Sequence, residues 1–300
     1  MLGLVFKTSV GHLVPQVGST PTSFRQIRSF SFQALSVNST PTLLCSVRDC
    51  RLALTREDSR LVCPRGHSFD IARSGYVNLL QPQDRRSRQP GDTSDAIRAR
   101  RRLHDLGVTE PLLRAIADIT AATSGDIVLD AGSGDGFYLG TLARESGFDA
   151  HGVDISVAAV DAASRRYPDC EWIVANADRF LPYPDRSFSL VLSITARMNP
   201  AEFRRVLRDD GRLLVAIPSP EDLIEVRGAG RDRADRTIQT FAPAFTPVDR
   251  RRVTTSADLD SAAVHDVLVS IYRPLRPQPA QAMRLTFSLD LLLFGPHKRA

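Results

Sequence analysis

The sequence predicts an α/β fold: a doubly wound, Rossmann-like, mostly parallel sheet with a small metal-stapled module ahead of it. Three observations carry this: a glycine loop between an apolar strand and a helix, a regular strand–helix alternation, and a Cys/His cluster. The loop says most. In Val128-Leu-Asp-Ala-Gly-Ser-Gly-Asp-Gly-Phe-Tyr138 an apolar strand runs into Gly132, Gly134 and Gly136, and a helix-compatible segment follows. Eighteen residues beyond Gly136, Asp154 ends a second strand in Gly152-Val-Asp-Ile155. In an open parallel sheet this makes a crevice beyond the strand ends, where a nucleoside-bearing ligand can lie. A Cβ at the glycines would block either the turn or the ligand. Asp154 is placed to accept hydrogen bonds from two ribose hydroxyls.

The alternation places the remaining elements. Helix 112–122 leads into strand 127–130, and a helix near 138–145 into strand 150–154. Helix 157–167 precedes strand 171–174, and strands 188–194 and 212–217 flank helix 201–207. Near the carboxyl end Leu285, Phe287 and Leu289 alternate with polar residues, which reads as a strand. Such alternation argues a doubly wound sheet.

Ahead of it stand Cys45-x4-Cys50 and Cys63-Pro-Arg-Gly-His67, two ligand pairs separated by twelve residues. Each pair suits a tight turn, and four such side chains can converge tetrahedrally on zinc. Three thiolates and an imidazole leave no open position, so the ion is expected to be structural. A module this small cannot bury enough apolar surface alone, so metal binding would supply its folding energy. The plainer alternative is a chance cluster of reduced cysteines. Cys170 stands alone and reads as a small buried hydrophobe.

The organisation that follows is an extension over 1–44, a zinc module over 45–80, an arginine-rich linker and helix over 81–109, and the main domain over 110–300. The chain has 39 Lys+Arg against 34 Asp+Glu, and its only lysines are Lys7 and Lys298. Linker residues Arg85, Arg86 and Arg88 and helix residues Arg98, Arg100, Arg101 and Arg102 could meet a phosphate backbone. The competing reading is a solvated helix face balanced by Asp95 and Asp105. No apolar run approaches the roughly 18–20 residues needed to span a bilayer, so no membrane association is expected. Residues 1–44 hold no Asp or Glu and are rich in Ser and Thr. They read as an extension ahead of the true start or, less favoured, as a transit peptide. Either way the segment should lack a stable fold, and the protein is expected in the cytoplasm.

The glycine spacing, G-x-G-x-G preceded by Asp130, resembles the first motif of S-adenosylmethionine-dependent methyltransferases, where a dinucleotide fingerprint would be G-x-G-x-x-G. A longer resemblance adds to it. Cys45, Cys50, Cys63 and His67, then Phe69-Asp-Ile-Ala72, Gly75-Tyr-Val-Asn-Leu-Leu80, Arg85-Arg-Ser-Arg88, Pro90-Gly-Asp92 and Pro218-Ser-Pro220 are similar to the 23S rRNA guanine-N1 methyltransferases of the RlmA and tylosin-resistance group. It covers about residues 43–295. It implies a zinc-ribbon-like module on a seven-stranded methyltransferase domain, S-adenosylmethionine as donor, a guanine in a large-subunit rRNA hairpin as acceptor, and often a homodimer. Some members confer macrolide resistance. Two departures stand out: x4 between the first cysteines where many relatives have x2, and Ser133 where Cys is frequent. The resemblance puts Asn176, Ala177 and Asp178 against the adenine. Strand 188–194 would run out over the reactive methyl, where Arg197 could face guanine O6 and Asn199 could orient the ring, unless both merely begin the next helix. Removing residues 45–92 is expected to abolish rRNA methylation and spare cofactor binding. The alternatives are a small-molecule methyltransferase on the same core and a non-catalytic RNA-binding protein that keeps the fold.

Overall fold

A computed structural model describes residues 40–84, 90–271 and 279–298 of the chain. Residues 1–39 of the extension, and Arg85, Arg86 and Arg88 of the linker, lie outside the described residues. The described residues belong to one compact unit.

Three short strands, β1 (Thr55–Glu57), β2 (Arg60–Val62) and β3 (Ser68–Asp70), form an antiparallel sheet of their own. The next strand, β4 (Val77–Asn78), leaves that sheet for the main one. Helix α1 (Ser94–Asp105) starts at Thr93, whose hydroxyl accepts from the Ala96 amide at 3.2 Å and so satisfies one orphan donor. Helix α2 (Glu110–Thr120) ends at Ala121 in the left-handed region, φ +44°. Then come β5 (Ile127–Ala131), α3 (Phe137–Ser146), β6 (Asp149–Asp154), α4 (Val157–Arg166), β7 (Glu171–Val174) and β8 (Phe188–Ile194). The chain closes with α5 (Pro200–Val206), β9 (Leu207–Pro218), α6 (Ile224–Arg227), α7 (Ala234–Phe241), β10 (Phe245–Leu259), α8 (Ser261–Ser270) and β11 (Met283–Pro296).

Strand order in the main sheet is β10-β11-β9-β8-β5-β6-β7-β4. Strands β9 through β4 pair in parallel, and β11 runs antiparallel to both β9 and β10. The seven expected strands are joined by an eighth, because Val77 pairs with Ile173 at the sheet edge. The order turns at β5, with β8 on one side and β6 on the other. That switch point is where an open α/β sheet leaves a crevice at its strand ends.

Side chains alternate across the sheet and divide the core in two. On one face Val128, Leu190, Leu192, Leu214 and Leu291 pack with Leu113, Ile116, Leu139 and Val264 from α2, α3 and α8. On the other, Ile127, Leu129, Val191 and Val215 pack with Phe203 and Phe241, and with Leu54 and Phe69 of the metal module. The metal module is thus part of the cover of the second face. This alters one expectation: a deletion of 45–92 would strip β4 and that cover, so it removes sheet packing together with the metal module.

Among the elements that the sequence reading did not place are β10 and α8. Strand β10 is a long edge strand whose middle, Asp249-Arg-Arg-Arg252, is polar and largely exposed. With little apolar burial it shows no period-2 signal. Helix α8, capped by Asp260 on the Ala263 amide at 2.8 Å, is short and apolar on several sides, so it lacks a helical stripe. No described helix is long and apolar enough to cross a membrane.

Candidate functional site

The glycine loop and the ends of β5, β6 and β8 build the crevice. Gly132, Gly134 and Gly136 all have positive φ, between +56° and +96°. A Cβ on Gly136 would lie 2.3 Å from Trp172 Cη2, and one on Gly132 would lie 2.3 Å from Ala196 Cβ. At both positions the chain's own packing demands glycine. Gly134 instead crowns the loop, and its amide donates to Asp154 Oδ2 at 2.9 Å. The Ser156 amide donates to the other carboxylate oxygen at 2.8 Å. Asp154 is therefore held at the end of β6 by backbone donors from both flanks.

The crevice is rich in buried carboxylates. Asp130, 2% exposed, is pushed up to about 8 by burial and then by the Asp154 charge. Its Oδ1 has no hydrogen-bond partner among the described residues, and neither has Ser133 Oγ. Burial also raises Asp135 and Asp154, against nearby arginines and backbone donors that pull them down. Carboxylates shifted this way favour a cation among them. A sulfonium donor with an ammonium group meets that demand, and the orphaned Asp130 oxygen and open Gly134 fit its amino-acid end.

At the mouth, Thr195 leaves β8 with φ +51° and swings Ala196 onto Gly132. Arg197 is exposed, and its guanidinium lies 3.4 Å from Asp178 Oδ2. Asn199 is the N-cap of α5: its Oδ1 accepts from the Glu202 amide, and its Nδ2 donates to the carbonyls of Ala177 and Asp178. The side-chain amide is engaged in ordering the loop after β7. Asn176 also works locally, accepting from the Asp178 amide at 3.1 Å and donating to the Asp84 carbonyl at 3.0 Å. Half-buried Ala177 and exposed Asp178 complete that turn. The groups the sequence placed separately thus form one connected rim.

The donor atoms of Cys45, Cys50, Cys63 and His67 all lie within 4.8 Å of one another. His67 Nδ1 is 3.4 Å from Cys45 Sγ and 3.3 Å from Cys63 Sγ, and Cys50 and Cys63 Sγ are 3.8 Å apart. Bond lengths typical of zinc in a tetrahedron give about 3.8 Å between sulfurs and about 3.6 Å between sulfur and nitrogen. The fit is close. Residue types also match, since thiolates and imidazole are soft and borderline donors suited to zinc. The x4 spacing is absorbed by a turn closed from the Cys50 amide to the Val47 carbonyl, with Asp49 left-handed at φ +62°. Gly66, at φ +82°, makes the second knuckle.

The arginines of α1 mostly face carboxylates of the chain itself. Arg98 pairs with Asp95, Arg102 donates to Asp266 at 2.7 Å, and Arg100 donates to Asp92 at 2.6 Å. Asp105 pairs with Arg166 at 2.8 Å. A cleft of about 170 Å³ between metal module and sheet edge is lined by Arg48, Arg51, Asp84, Asn176, Arg179 and Phe180. There Arg51 stacks 4.8 Å over the Phe180 ring, and Arg179 pairs with Asp84.

Comparison with known families places both halves. A zinc-ribbon model described as "RlmA, N-terminal" matches residues 44–88, and one described as "Methyltransferase domain" matches 128–215. The 23S rRNA (guanine(748)-N(1))-methyltransferase of Streptomyces fradiae is 36% identical over 231 residues, spanning 73% of this chain and 80% of its own. The chain belongs to the 23S rRNA (guanine-N1) methyltransferase family. A Bacillus subtilis (strain 168) protein, YxjB, provisionally given that activity, is 35% identical over 249 residues, spanning 75% of this chain and 83% of its own. A demethylmenaquinone methyltransferase of Tropheryma whipplei (strain Twist) is 34% identical over 112 residues, covering 34% of this chain and 46% of its own.

For this member of the guanine-N1 methyltransferase family, the structure adds residues that sequence reasoning left out of the site. Tyr138 is half-buried near Asp130, Asp135 and Asp222, and desolvation raises its phenol. Asp222, raised by burial, accepts from the Ser288 amide at 3.1 Å and pairs with Arg227. His104 stacks on Phe137 at 3.8 Å and shares a 2.7 Å hydrogen bond with Thr109. Tyr138 ends the glycine-loop string and was the one visible signal; Asp222 and His104 had none.

Proposed function

We propose that the chain transfers a methyl group from S-adenosylmethionine to N1 of a guanine in a hairpin of large-subunit rRNA. One observation carries the reading: a Cys3His cluster of zinc dimensions and a carboxylate-rich crevice occur in one compact chain whose relatives of matching length carry that name. The small-molecule methyltransferase likeness covers 34% of this chain. The non-catalytic alternative leaves the orphaned Asp130 oxygen without purpose.

Asp154 would hold the ribose hydroxyls, and Ala177 and Asp178 the adenine edge, with Asn176 shaping their turn. Gly132, Gly134 and Gly136 would wrap the methionine end, with Asp130 facing its ammonium. The donor supplies a methyl on an activated sulfonium carbon, so the protein contributes alignment and helps the acceptor shed its proton. Guanine N1 would lose its proton to water, leaving negative charge spread onto O6, and the N–C bond would form as the methyl–sulfur bond breaks and S-adenosylhomocysteine leaves. Arg197, exposed at the β8 mouth, would meet O6 once released from Asp178, with Asn199 keeping the rim in place. N1 lies on the pairing edge, so the base must be unpaired and turned out of its stack.

Cys45, Cys50, Cys63 and His67 would hold zinc structurally, and the Arg48/Arg51 cleft supports RNA contact beside the crevice. Such an enzyme works in the cytoplasm. Pairing as a homodimer is carried over from the resemblance and is checked by sedimentation. Mass-spectrometric mapping of large-subunit rRNA from cells with and without the gene tests the reading. One N1-methylguanosine should vanish with the gene; an unchanged rRNA map with a methylated metabolite instead sinks it.

A further inference from the structure

We propose that Arg100 is the anion-binding half of the cofactor site, its guanidinium taking the α-carboxylate of the donor's amino-acid end while Asp92 positions it. This deepens the reading above and rests on the crevice taking S-adenosylmethionine.

The sequence leaves Arg100 among helix arginines that could meet a phosphate backbone or form a solvated face. The fold turns it inward. Its side chain is 28% exposed, Nη1 donates to Asp92 Oδ2 at 2.6 Å and Nη2 to the Ser270 carbonyl at 3.0 Å. A Cβ built on Gly134 would stand 3.7 Å from Nη1, so the guanidinium overlooks the crown of the glycine loop. The carboxylates around it are Asp92, Asp135 and Asp154, and His104 lies within its field.

Asp92 reaches the site through a tight contact. Ser156 Oγ donates to the Asp92 carbonyl at 2.9 Å, and a Cβ on Gly91 would come within 2.7 Å of Ser156 Cβ. Gly91, at φ +83°, lets the Pro90-Gly91-Asp92 segment press against the end of β6. The donor's amino-acid end carries one negative group beside positive ones. In a crevice otherwise lined by acids, that carboxylate needs a cation, and a guanidinium held by Asp92 and the Ser270 carbonyl keeps further N–H groups to donate.

The test uses purified full chain and isothermal titration with S-adenosylmethionine, its decarboxylated analogue and 5′-methylthioadenosine, which lacks the amino-acid end. The wild-type protein should prefer the carboxylated donor over the decarboxylated one by about 10–100-fold. In Arg100→Gln that preference should collapse to within about threefold, with methylthioadenosine affinity unchanged. Arg100→Lys, keeping a charge without the guanidinium, should retain part of the preference and serves where the Gln variant fails to fold. An undiminished preference in Arg100→Gln overturns the proposal. An equal loss for all three ligands also overturns it, since that marks a scaffold residue. Wild-type protein that binds none of the three removes the underlying cofactor reading instead.

Discussion

The Gly134 amide donates to Asp154 Oδ2 across the crevice, 2.9 Å away, joining the loop after β5 to the end of β6. One carboxylate thus braces the loop and faces the place where a ribose would lie. Asp154→Ala should weaken S-adenosylhomocysteine binding about 10–100-fold, the worth of one or two charge-assisted hydrogen bonds. Calorimetry measures it, and circular dichroism should show an unchanged fold. Wild-type affinity in the variant would remove Asp154 from the site.

Asp130 should make cofactor binding release a proton. Its carboxyl, raised to about 8, is mostly protonated at pH 7, and an arriving cation favours the ionised form. Titrations near neutral pH in buffers of different ionisation enthalpy should report close to one proton released, absent in Asp130→Asn. The same shift bears on stability. Between about pH 4 and pH 8 the folded chain keeps a proton the unfolded chain has lost, so stability falls as pH rises through that window. The Asn variant should flatten that slope.

His104 acts in the opposite direction at lower pH. Burial first, then Arg100 and Arg166, lowers it to about 3. Below the ordinary value of 6.5 the unfolded chain takes up a proton the folded chain refuses, so stability is lost as pH falls. Roughly 3 kcal/mol should disappear between about pH 6.5 and about pH 4. Denaturant melts across that range check it, and His104→Phe should lessen the acid sensitivity.

Metal removal should reach well beyond the module. Leu54 and Phe69 cover the same sheet face as Val191 and Val215, and β4 extends that sheet beside β7. Cys63→Ser should lower bound zinc, read by elemental analysis, and reduce the melting temperature by about 10 °C or more. A variant with full stability and no zinc would make the cluster incidental.

Local spacing alone makes much of the site legible. The Asp130 loop, Asp154 and the Cys/His pairs each lie within a few residues of a turn, so chain geometry limits where their side chains go. The apolar central strands are readable because burial on both faces leaves continuous hydrophobic runs. Strand β10 is not, because an edge strand facing water carries no such pattern. Asn199 can be named from its place after β8, but whether it touches a ligand or caps α5 depends on its three hydrogen bonds, two of them to backbone distant in sequence.

By itself the sequence determined the parallel sheet, the glycine-loop crevice and the Cys/His cluster, since each follows from periodicity or from residue types at short separation. Only the tertiary structure decided that the metal module covers one face of the sheet and that Arg100 turns toward the glycine loop. Those outcomes depend on which surfaces, far apart along the chain, bury each other, and α1 is held beside the crevice by packing on α8 and α4.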